Sequence, residues 1–457
     1  MLSVFVLNRR GKPLMPCSEK RARLLLEAER ARVHRVKPFT IRLVDREQKD
    51  SALQPVRVKL DPGSKVTGIA LVRESETADP ETGEVKREAA VLSLIELEHR
   101  GQQIKNAMQS RAALRRGRRS RNLRYRKPRF DNRTKPEGWL APSLRHRVET
   151  AVTWVKRLSR WAPVTATSME LVKFDLHKME NPEVAGVEYQ HGTLFGFEVR
   201  EYVLEKWGHK CAYCDATDCP LNLDHVMPRA LGGSDRVTNL VPACIPCNLA
   251  KAETSLREFV KNEVRRERIE AQLRAPLKDA AAIKSTRWAL FQALKAAGLP
   301  VECGSGGRTK WNRVQLGIPK SHALDAACVG RIDALEGWSK PTLEVSATGR
   351  GAYCRTRTDA SGFPRGYLMR GKSVRGFRTG DMARAVVPSG KKAGTHTGRV
   401  AVRATGSFNI QTKEIVLQGI RAKHFALIQR SDGYGYQHRS SASSPASRHG
   451  VSAPEIR

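Results

Sequence analysis

The sequence predicts an α/β protein built from several domains. At 457 residues the chain is too long for one small hydrophobic core, and about two to four folded units are expected. Strand and helix patterns alternate over most of the chain, which favours mixed α/β cores. After about Ala347 the pattern changes to short strands and many glycines, which is typical of a small β-barrel or sandwich. Arg439–Arg457 is rich in serine, alanine and proline and is expected to be disordered.

The first elements follow from strand patterns and capping residues. Val4–Leu7 predicts a strand, and Gly11–Pro16 predicts a turn after it. Ser18 is expected to cap a helix that runs from Glu19 to about Arg32.

A β-hairpin is predicted around Asp61. Arg57–Leu60 alternates apolar and basic residues, an Asp-Pro-Gly-Ser turn follows, and Thr67–Val72 resumes a strand. Val91–Leu97 can add a third strand. The remaining predicted elements are helices over 143–161, from Leu256 to about Leu273, over 283–297 and over Ser321–Val329, and strands at Val164–Met169, Leu221–Asp224, Asp381–Val387, Gly398–Arg403, Ser407–Asn409 and Ile415–Gln418.

The charge of the chain is strongly positive. Lys and Arg number 82 against 46 Asp and Glu, which gives a formal net charge of +36. So many positive charges repel one another unless a polyanion binds and neutralises them. DNA and RNA are suitable polyanions, and an anionic membrane surface is the alternative. The sequence holds no apolar run of about 18 residues, and the apolar stretch after Met1 stops at Asn8, short of a signal-peptide core of ~7–15 residues. We therefore expect a cytoplasmic protein.

An arginine-rich segment lies between the hairpin and the next helix. Residues 101–130 contain no acidic residue, and their alanine, arginine and leucine content favours a helix that Pro128 ends. Because this helix would be cationic on nearly all sides, it is expected to lie among nucleic-acid backbones; a disordered basic linker is the alternative. The candidate nucleic-acid-binding residues are Arg111, Arg115, Arg116, Arg118, Arg119, Arg121, Arg124 and Arg126.

Two Cys-x-x-Cys pairs predict a zinc site. Cys211 and Cys214 form the first pair, and Cys244 and Cys247 form the second, with 29 residues between Cys214 and Cys244. Four thiolates at this spacing can hold one tetrahedral zinc ion, and nine cysteines in a reducing compartment favour metal over disulfides. Because four sulfur ligands leave no open position, the zinc is expected to be structural.

The residues around the cysteines supply hydrolytic chemistry. His225 follows a predicted strand and can take a proton from water, while Asp224 and Asn248 carry oxygen atoms suited to Mg²⁺. Asn239 could hydrogen-bond within the loop and fix the His225 ring. The alternative is a plain zinc ribbon that only binds.

A second set of candidate residues is scattered along the chain. Two-metal phosphodiester hydrolysis needs several carboxylates that converge on one place. Asp61 ends the first hairpin strand, Glu170 ends a short apolar strand, and the i, i+3 spacing puts His322 and Asp325 on one helix face. Taken singly, an Asp before Pro-Gly is usually a turn former, and such a His–Asp spacing is more often accidental.

These motifs resemble two nuclease families. The segment Cys211–Lys251 is similar to an HNH nuclease with a zinc-stabilised ββα-metal core. That resemblance implies His225 as the general base, Asp224 and Asn248 as metal ligands, and Asn239 as a supporting residue. The scattered set resembles a RuvC-type, RNase H-like nuclease split into three parts, with Asp61, Glu170, His322 and Asp325 at the family's metal-binding positions. His322 could ligate metal or transfer a proton.

The order along the whole chain resembles the IscB family of transposon-encoded RNA-guided DNA endonucleases, which are related to the ancestors of type II CRISPR effectors. Pro-Leu-Met-Pro at 13–16 is part of that resemblance. The implied domains are an N-terminal PLMP domain (1–55), RuvC part I (56–103), an Arg-rich bridge helix (104–130), RuvC part II (131–185), the HNH domain (186–273), RuvC part III (274–346), a C-terminal β-rich domain that binds the target-adjacent motif and guide RNA (347–438), and a disordered tail (439–457).

The resemblance also implies an activity and partners. A guide RNA of the ω type would pair with double-stranded DNA, and the monomeric ribonucleoprotein would use Mg²⁺ at both centres and zinc as a scaffold. The HNH domain would cut the guide-paired strand, and the RuvC domain the displaced strand. Candidate C-terminal contacts are Arg375, Arg378, Lys391, Lys392 and Arg399. The alternatives are a guide-independent structure-selective or homing-type DNA nuclease and a non-catalytic nucleic-acid-binding protein.

Overall fold

The computed structural model describes most of the chain and gives the bounds of its elements. The described residues are 3–78, 85–120, 138–171, 199–274, 280–349, 356–360, 363–367, 371, 373–412 and 414–439. The strands are β1 (Ser3–Leu7), β2 (Pro13–Ser18), β3 (Ala31–Arg35), β4 (Thr40–Leu43), β5 (Val56–Pro62), β6 (Val66–Ala78), β7 (Val85–Glu98), β8 (Val164–Glu170), β9 (Leu221–His225), β10 (Leu240–Cys244), β11 (Val301–Gly304), β12 (Ala334–Glu336), β13 (Thr342–Ala347), β14 (Thr356–Thr358), β15 (Pro364–Tyr367), β16 (Met382–Val387), β17 (Gly394–Ala401), β18 (Ser407–Gln411), β19 (Val416–Arg421), β20 (Phe425–Gln429) and β21 (Tyr434–Arg439). The α-helices are α1 (Glu19–Glu27), α2 (Gly101–Ser120), α3 (Pro142–Trp161), α4 (Val199–Lys206), α5 (Ile245–Lys251), α6 (Leu256–Phe259), α7 (Glu263–Arg274), α8 (Ala280–Lys295), α9 (Gly306–Gln315) and α10 (His322–Ala327).

The N-terminal unit is a four-stranded sheet with one helix. The strand order is β2-β1-β4-β3, and α1 packs beside it. The predicted strand at Val4–Leu7 and the Ser18 cap are confirmed, but the predicted turn extends only to Lys12, since β2 begins at Pro13. The predicted helix was too long: it ends at Glu27, and Glu29 adopts a left-handed φ of 53° that a helix cannot continue.

A large mixed sheet forms the centre of the molecule. Its order is β11-β8-β5-β6-β7-β13-β21, with β12 also paired to β7. The strands β5, β6 and β7 form an antiparallel meander, as predicted, while β8 is parallel to β5 and β11 is parallel to β8. The carboxyl ends of β5 and β8 therefore meet at one edge of the sheet.

The two faces of this sheet are covered by helices. On one face Val58 and Leu60 of β5 pack with α3 and α8 around the fully buried Trp154. On the other face the small side chains of α10 pack against Ala70 and Val72 of β6. Successive strand residues point to opposite faces, so Asp61, next to Leu60, points to the α10 side.

Gly68 permits the close approach of α10 to the sheet. A Cβ atom at position 68 would lie 1.7 Å from the carbonyl oxygen of His322, a distance that no real contact allows. A residue without a side chain is therefore required here. The start of α10 is brought against the hairpin that carries Asp61.

The helical segment after the cysteine pairs differs from the prediction. The single helix expected from Leu256 to about Leu273 is two helices, α6 and α7. Ser255 and Glu258 form a capping box at the start of α6, and Val260 ends it in an extended conformation. The Asn262 side chain then accepts a hydrogen bond from the Arg265 amide, which starts α7.

The arginine-rich segment is helical where the structure describes it. The predicted helix is confirmed over its described part, as α2 from Gly101 to Ser120, and its predicted end at Pro128 lies outside the described residues. The arginines on it are exposed, namely Arg111, Arg115, Arg116, Arg118 and Arg119. Arg121, Arg124 and Arg126 lie outside the described residues, as does the tail after Arg439.

The C-terminal region contains a five-stranded antiparallel sheet in the order β19-β18-β17-β16-β20. The four strands predicted there are confirmed with small shifts of their ends, whereas β20 was not predicted. Phe408, Ile410 and Phe425 form its core. The last described strand, β21, falls almost entirely within the range expected for this unit, yet it pairs with β13 in the central sheet. The barrel or sandwich itself stays a prediction.

Candidate active sites

Four cysteines converge at one place, as the spacing predicted. The sulfur atoms of Cys211, Cys214, Cys244 and Cys247 all lie within 4.8 Å of one another. Cys244 ends β10, and Cys247 lies in the first turn of α5, so a short hairpin and a helix meet at the cluster. The close packing of four thiol groups fits a tetrahedral metal ion such as zinc, which would add to the small hydrophobic core that this unit forms around Tyr213 and Val241.

The hairpin and helix beside the cysteines carry the candidate hydrolytic residues. In the antiparallel register of β9 and β10, Leu240 is opposite His225 and Val241 is opposite Asp224. The helix α5 packs on both strands and carries the half-buried Asn248. The local fold is thus two strands with one helix packed on both, next to the cysteine cluster.

Asp224 is nearly buried and is held by two neighbours. Its carboxylate accepts a hydrogen bond from the Tyr213 hydroxyl, and the ammonium of Lys251 lies 3.2 Å from Oδ2. Lys251 is fully buried and also donates to the carbonyl oxygen of His225 at 2.8 Å. Burial and the nearby Asp224 charge raise the pKa of Tyr213, which therefore keeps its proton and stays a donor. The Tyr213 hydroxyl and the Lys251 ammonium together fix the orientation of the Asp224 carboxylate.

The His225 ring is oriented by a residue that the sequence analysis did not single out. Nε2 of His225 lies 2.7 Å from Oδ1 of Asp235, which also accepts two hydrogen bonds from Arg229. These hydrogen bonds, from His225 first, lower the pKa of Asp235. Asp235 follows the Gly-Gly-Ser turn and is an exposed acid in a loop, a position without a strong sequence signal.

Asn239 forms hydrogen bonds within the loop that carries Asp235. Its side chain accepts a hydrogen bond from the Met227 amide at 2.8 Å and donates to the carbonyl oxygens of Met227 and Ser234. The expected hydrogen bonding within the loop is confirmed, but the contact to the His225 ring is made by Asp235 instead. Asn239 therefore shapes the loop, and the loop places Asp235.

The scattered acidic residues surround a second site. Asp61 and Glu170 lie at the carboxyl ends of the neighbouring parallel strands β5 and β8, and α10 brings His322 and Asp325 to the same edge. All four line one cavity of about 290 Å³. Nδ1 of His322 lies 3.4 Å from Oδ2 of Asp61.

Two buried arginines balance part of this negative charge. Arg287 of α8 lies 3.3 Å from Glu170, and Arg313 of α9 lies 2.9 Å from Asp325. Neither arginine was singled out, because nothing in the local sequence distinguishes it from the many surface arginines. We refer to Asp61, Glu170, His322 and Asp325 with these arginines as the carboxylate site.

The protonation equilibria of the carboxylate site are shifted. Burial and the negative charge of Asp61 raise the pKa of Glu170, and the same two causes raise the pKa of Asp325 to about 6. A hydrogen bond to Asp61 raises the pKa of His322. A divalent cation would offset the repulsion between such clustered carboxylates, and carboxylate oxygen atoms are ligands that Mg²⁺ prefers.

Family models match two parts of the chain. A model described as RRXRR protein matches residues 4–192, and one described as HNH endonuclease matches residues 211–263. No curated protein matches the sequence. The described part of the chain contains no helix that is long and apolar enough to cross a membrane.

Similar solved structures include two Cas9 enzymes. Streptococcus thermophilus Cas9 in complex with the GGAA PAM is 12% identical, with 57% of this chain and 32% of that chain covered and a TM-score of 0.22. The Type II-C Cas9 enzyme from Actinomyces naeslundii is 14% identical, with 61% and 59% covered and a TM-score of 0.23. The chain thus spans about a third to three fifths of the length of these enzymes.

The segment that matches the HNH model contains the cysteine cluster, Asp224, His225 and Asn248. Residues 211–263 are therefore similar to an HNH endonuclease domain. Enzymes of this class use divalent metal ions. The RRXRR match covers residues 4–192 and the HNH match covers residues 211–263, so these two parts of the chain are similar to two different families.

Proposed function

We propose that this protein is an RNA-guided DNA endonuclease with two cutting centres. The observation that carries the proposal is the carboxylate site. Asp61 and His322 lie 261 positions apart in the sequence, on either side of the HNH segment, and yet they meet at one cavity with Glu170 and Asp325. A catalytic core interrupted by an HNH domain is the organisation that the resemblance to IscB implies, within the domain boundaries given above.

At the HNH centre, His225 would accept the proton of the attacking water. Asp224 and Asn248 would hold Mg²⁺, which when bound stabilises negative charge on the phosphate oxygens. Asp224 fits this role although Tyr213 and Lys251 contact it, because a carboxylate offers about four lone-pair positions. Asp235 would keep the His225 ring oriented, as outer-sphere carboxylates do for catalytic imidazoles.

At the carboxylate site, Asp61, Glu170 and Asp325 would hold Mg²⁺. The three carboxylates present the hard oxygen ligands that pairs of divalent ions require in phosphodiester hydrolysis. His322 is hydrogen-bonded to Asp61 and would either ligate metal or move a proton to or from water. Arg287 and Arg313 would keep the carboxylates in place before the substrate enters.

Nucleic-acid binding would be divided between the helix α2 and the C-terminal sheet. The exposed arginines of α2 and the net charge of +36 fit a structured guide RNA of the ω type, whose backbone they would neutralise. The C-terminal sheet would contact a short target-adjacent motif, with Arg375, Arg378, Lys391, Lys392 and Arg399 as candidates, mostly for phosphate contacts. The HNH centre would cut the guide-paired strand, and the carboxylate site would cut the displaced strand.

The test begins with the RNA that accompanies the protein. Purification at moderate salt, followed by sequencing of the bound RNA, is expected to give one structured RNA with a variable guide end. With that RNA, Mg²⁺ and matched DNA, Asp61→Ala and His225→Ala should each leave a nickase, and the two should cut opposite strands. Loss of both cuts from either single change would rule out the two-site proposal.

A guide-independent nuclease is the second candidate. The strong positive charge would then serve DNA alone, and the protein would cut branched or site-specific DNA without RNA. Random RNA or none in the preparation, together with Mg²⁺-dependent cutting in its absence, would favour this second function.

A further inference from the structure

Arg313 connects the carboxylate site to the cysteine-bearing segment. It is only 3% exposed, and its guanidinium group lies between oxygen atoms of three residues. Nε lies 2.9 Å from Oδ1 of Asp325, Nη2 donates to Oδ1 of Asp218 at 2.9 Å, and Nη1 donates to the carbonyl oxygen of Ile318. One buried cation is thus shared by two carboxylates from different parts of the chain.

Asp218 belongs to the segment between the two cysteine pairs. It lies four positions after Cys214 and has a left-handed φ of 57°. The next residue is Cys219, and its carbonyl oxygen accepts a hydrogen bond from Lys310 of α9 at 3.3 Å. The helix α9 therefore contacts this segment through two cationic side chains, Lys310 and Arg313. Asp218 also lines the cavity of the carboxylate site.

We infer that Arg313 is a positioning residue of the carboxylate site, and that Asp218 of the cysteine-bearing segment sets the orientation of Arg313. This inference rests on the proposed function in taking the carboxylate site to bind divalent metal. A guanidinium with two carboxylate partners has a fixed plane and a balanced charge. The folding of the cysteine cluster is thereby transmitted to Asp325, one of the proposed metal ligands.

Loss of the Asp218 charge changes the carboxylate site in two ways. Arg313 loses the partner that holds its Nη2 atom, and its positive charge is then balanced by Asp325 alone. A cation close to a metal site opposes the binding of a second cation, so both effects weaken metal binding. We expect Asp218→Asn to weaken the binding of a divalent ion at the carboxylate site about three- to tenfold.

The experiment measures Mn²⁺ binding by isothermal titration calorimetry on the full chain, without RNA or DNA. The binding event that Asp61→Asn removes identifies the carboxylate site. Asp218→Asn is then compared with Asp215→Asn, a matched control in the same segment. Asp215 also has a left-handed φ, but its partners are Arg265 and Arg268 of α7. The zinc content of each variant is measured to verify that the cysteine cluster is intact.

The expected result is weaker Mn²⁺ binding in Asp218→Asn, unchanged binding in Asp215→Asn, and recovery in Asp218→Glu, with equal zinc in all. Equal Mn²⁺ affinity in Asp218→Asn and the unchanged protein would overturn the inference, as would an equal loss in Asp215→Asn or no binding event at the carboxylate site. A protein that binds Mn²⁺ as expected and cuts no DNA with its RNA would contradict the proposed function alone.

Discussion

Replacement of Gly68 by alanine should disable the carboxylate site without touching any of its side chains. A Cβ atom at this position would lie 1.7 Å from the carbonyl oxygen of His322 and 3.0 Å from the amide nitrogen of Ala323. Because both neighbours are backbone atoms, the clash cannot be relieved by rotation of a side chain. The start of α10 has to move by roughly 1 Å or more to restore an ordinary contact, and His322 and Asp325 move with it.

The size of the effect follows from that displacement. A misplacement of about 1 Å at a catalytic group can cost about 100-fold in rate, and overpacking of a core contact typically costs about 1–3 kcal/mol of stability. Gly68→Ala should therefore lower cutting of the displaced strand about 100-fold, while the HNH centre continues to cut the other strand. The assay is strand-specific cleavage of end-labelled DNA by the purified ribonucleoprotein, together with thermal unfolding.

Gly117→Ala is the matched control for this prediction. Gly117 lies within α2, and a Cβ atom there would meet no heavy atom within 4 Å. Alanine is the better helix former, so the control should keep both cuts and gain up to about 1 kcal/mol in stability. Displaced-strand cutting by Gly68→Ala within threefold of the unchanged protein would refute the argument that the contact with α10 sets the site.

Three further predictions concern single groups. Cys244→Ser should open the zinc-binding unit, because a structural zinc supplies about 10–16 kcal/mol in small domains, and limited trypsin digestion should then cut within 211–263 while the central sheet resists. Asp235→Asn should lower cutting by the HNH centre about 10- to 100-fold, which is the usual cost of losing a carboxylate that orients a functional imidazole. The cut in the displaced strand should be unchanged, and an equal loss at both centres would contradict this role. The pKa of Asp325 is raised to about 6 by burial and Asp61, so its contribution to stability is fully present below about pH 4 and is lost as the pH rises to about 6. Thermal unfolding in Mg²⁺-free buffer should show this loss, and Asp325→Asn, which cannot ionise, should remove it.

The parts of the sites that the sequence revealed are those with fixed spacing. Two Cys-x-x-Cys pairs define a metal cluster because the ligand geometry is local, and His225 is marked by its neighbour Asp224 and by the cysteines around it. The carboxylate site depends instead on the pairing of β5 with β8 and on the close approach of α10 to Gly68. Those are contacts between distant segments, so only the family resemblance could group the four residues before the structure was known.

The site residues that the sequence analysis missed contact the predicted catalytic and metal-binding residues and are not themselves proposed metal ligands. Arg287 and Arg313 resemble any other arginine in a chain with 82 basic residues, and their burial is decided by tertiary packing alone. Asp235 lies in an exposed loop whose course is set by the hydrogen bonds of Asn239. The helix expected up to Arg32 failed for a related reason: the segment after Glu29 has a strand partner in β4, and pairing with it outweighs a weak helical preference.

The topology of the central sheet explains why part of the HNH segment lies beside the carboxylate site. The chain leaves β8 at Glu170, a residue of the carboxylate site, and after the HNH segment it returns as α8, which leads to β11 beside β8. In a parallel pair such a connection begins at the carboxyl end of the first strand, so a domain inserted there emerges at the edge where Asp61 and Glu170 lie. This position accounts for His209 and Asp218 in the wall of the cavity. The HNH segment therefore forms part of the wall of the carboxylate site, and the hydrogen bonds of α9 to Asp218 and Cys219 join the two parts there.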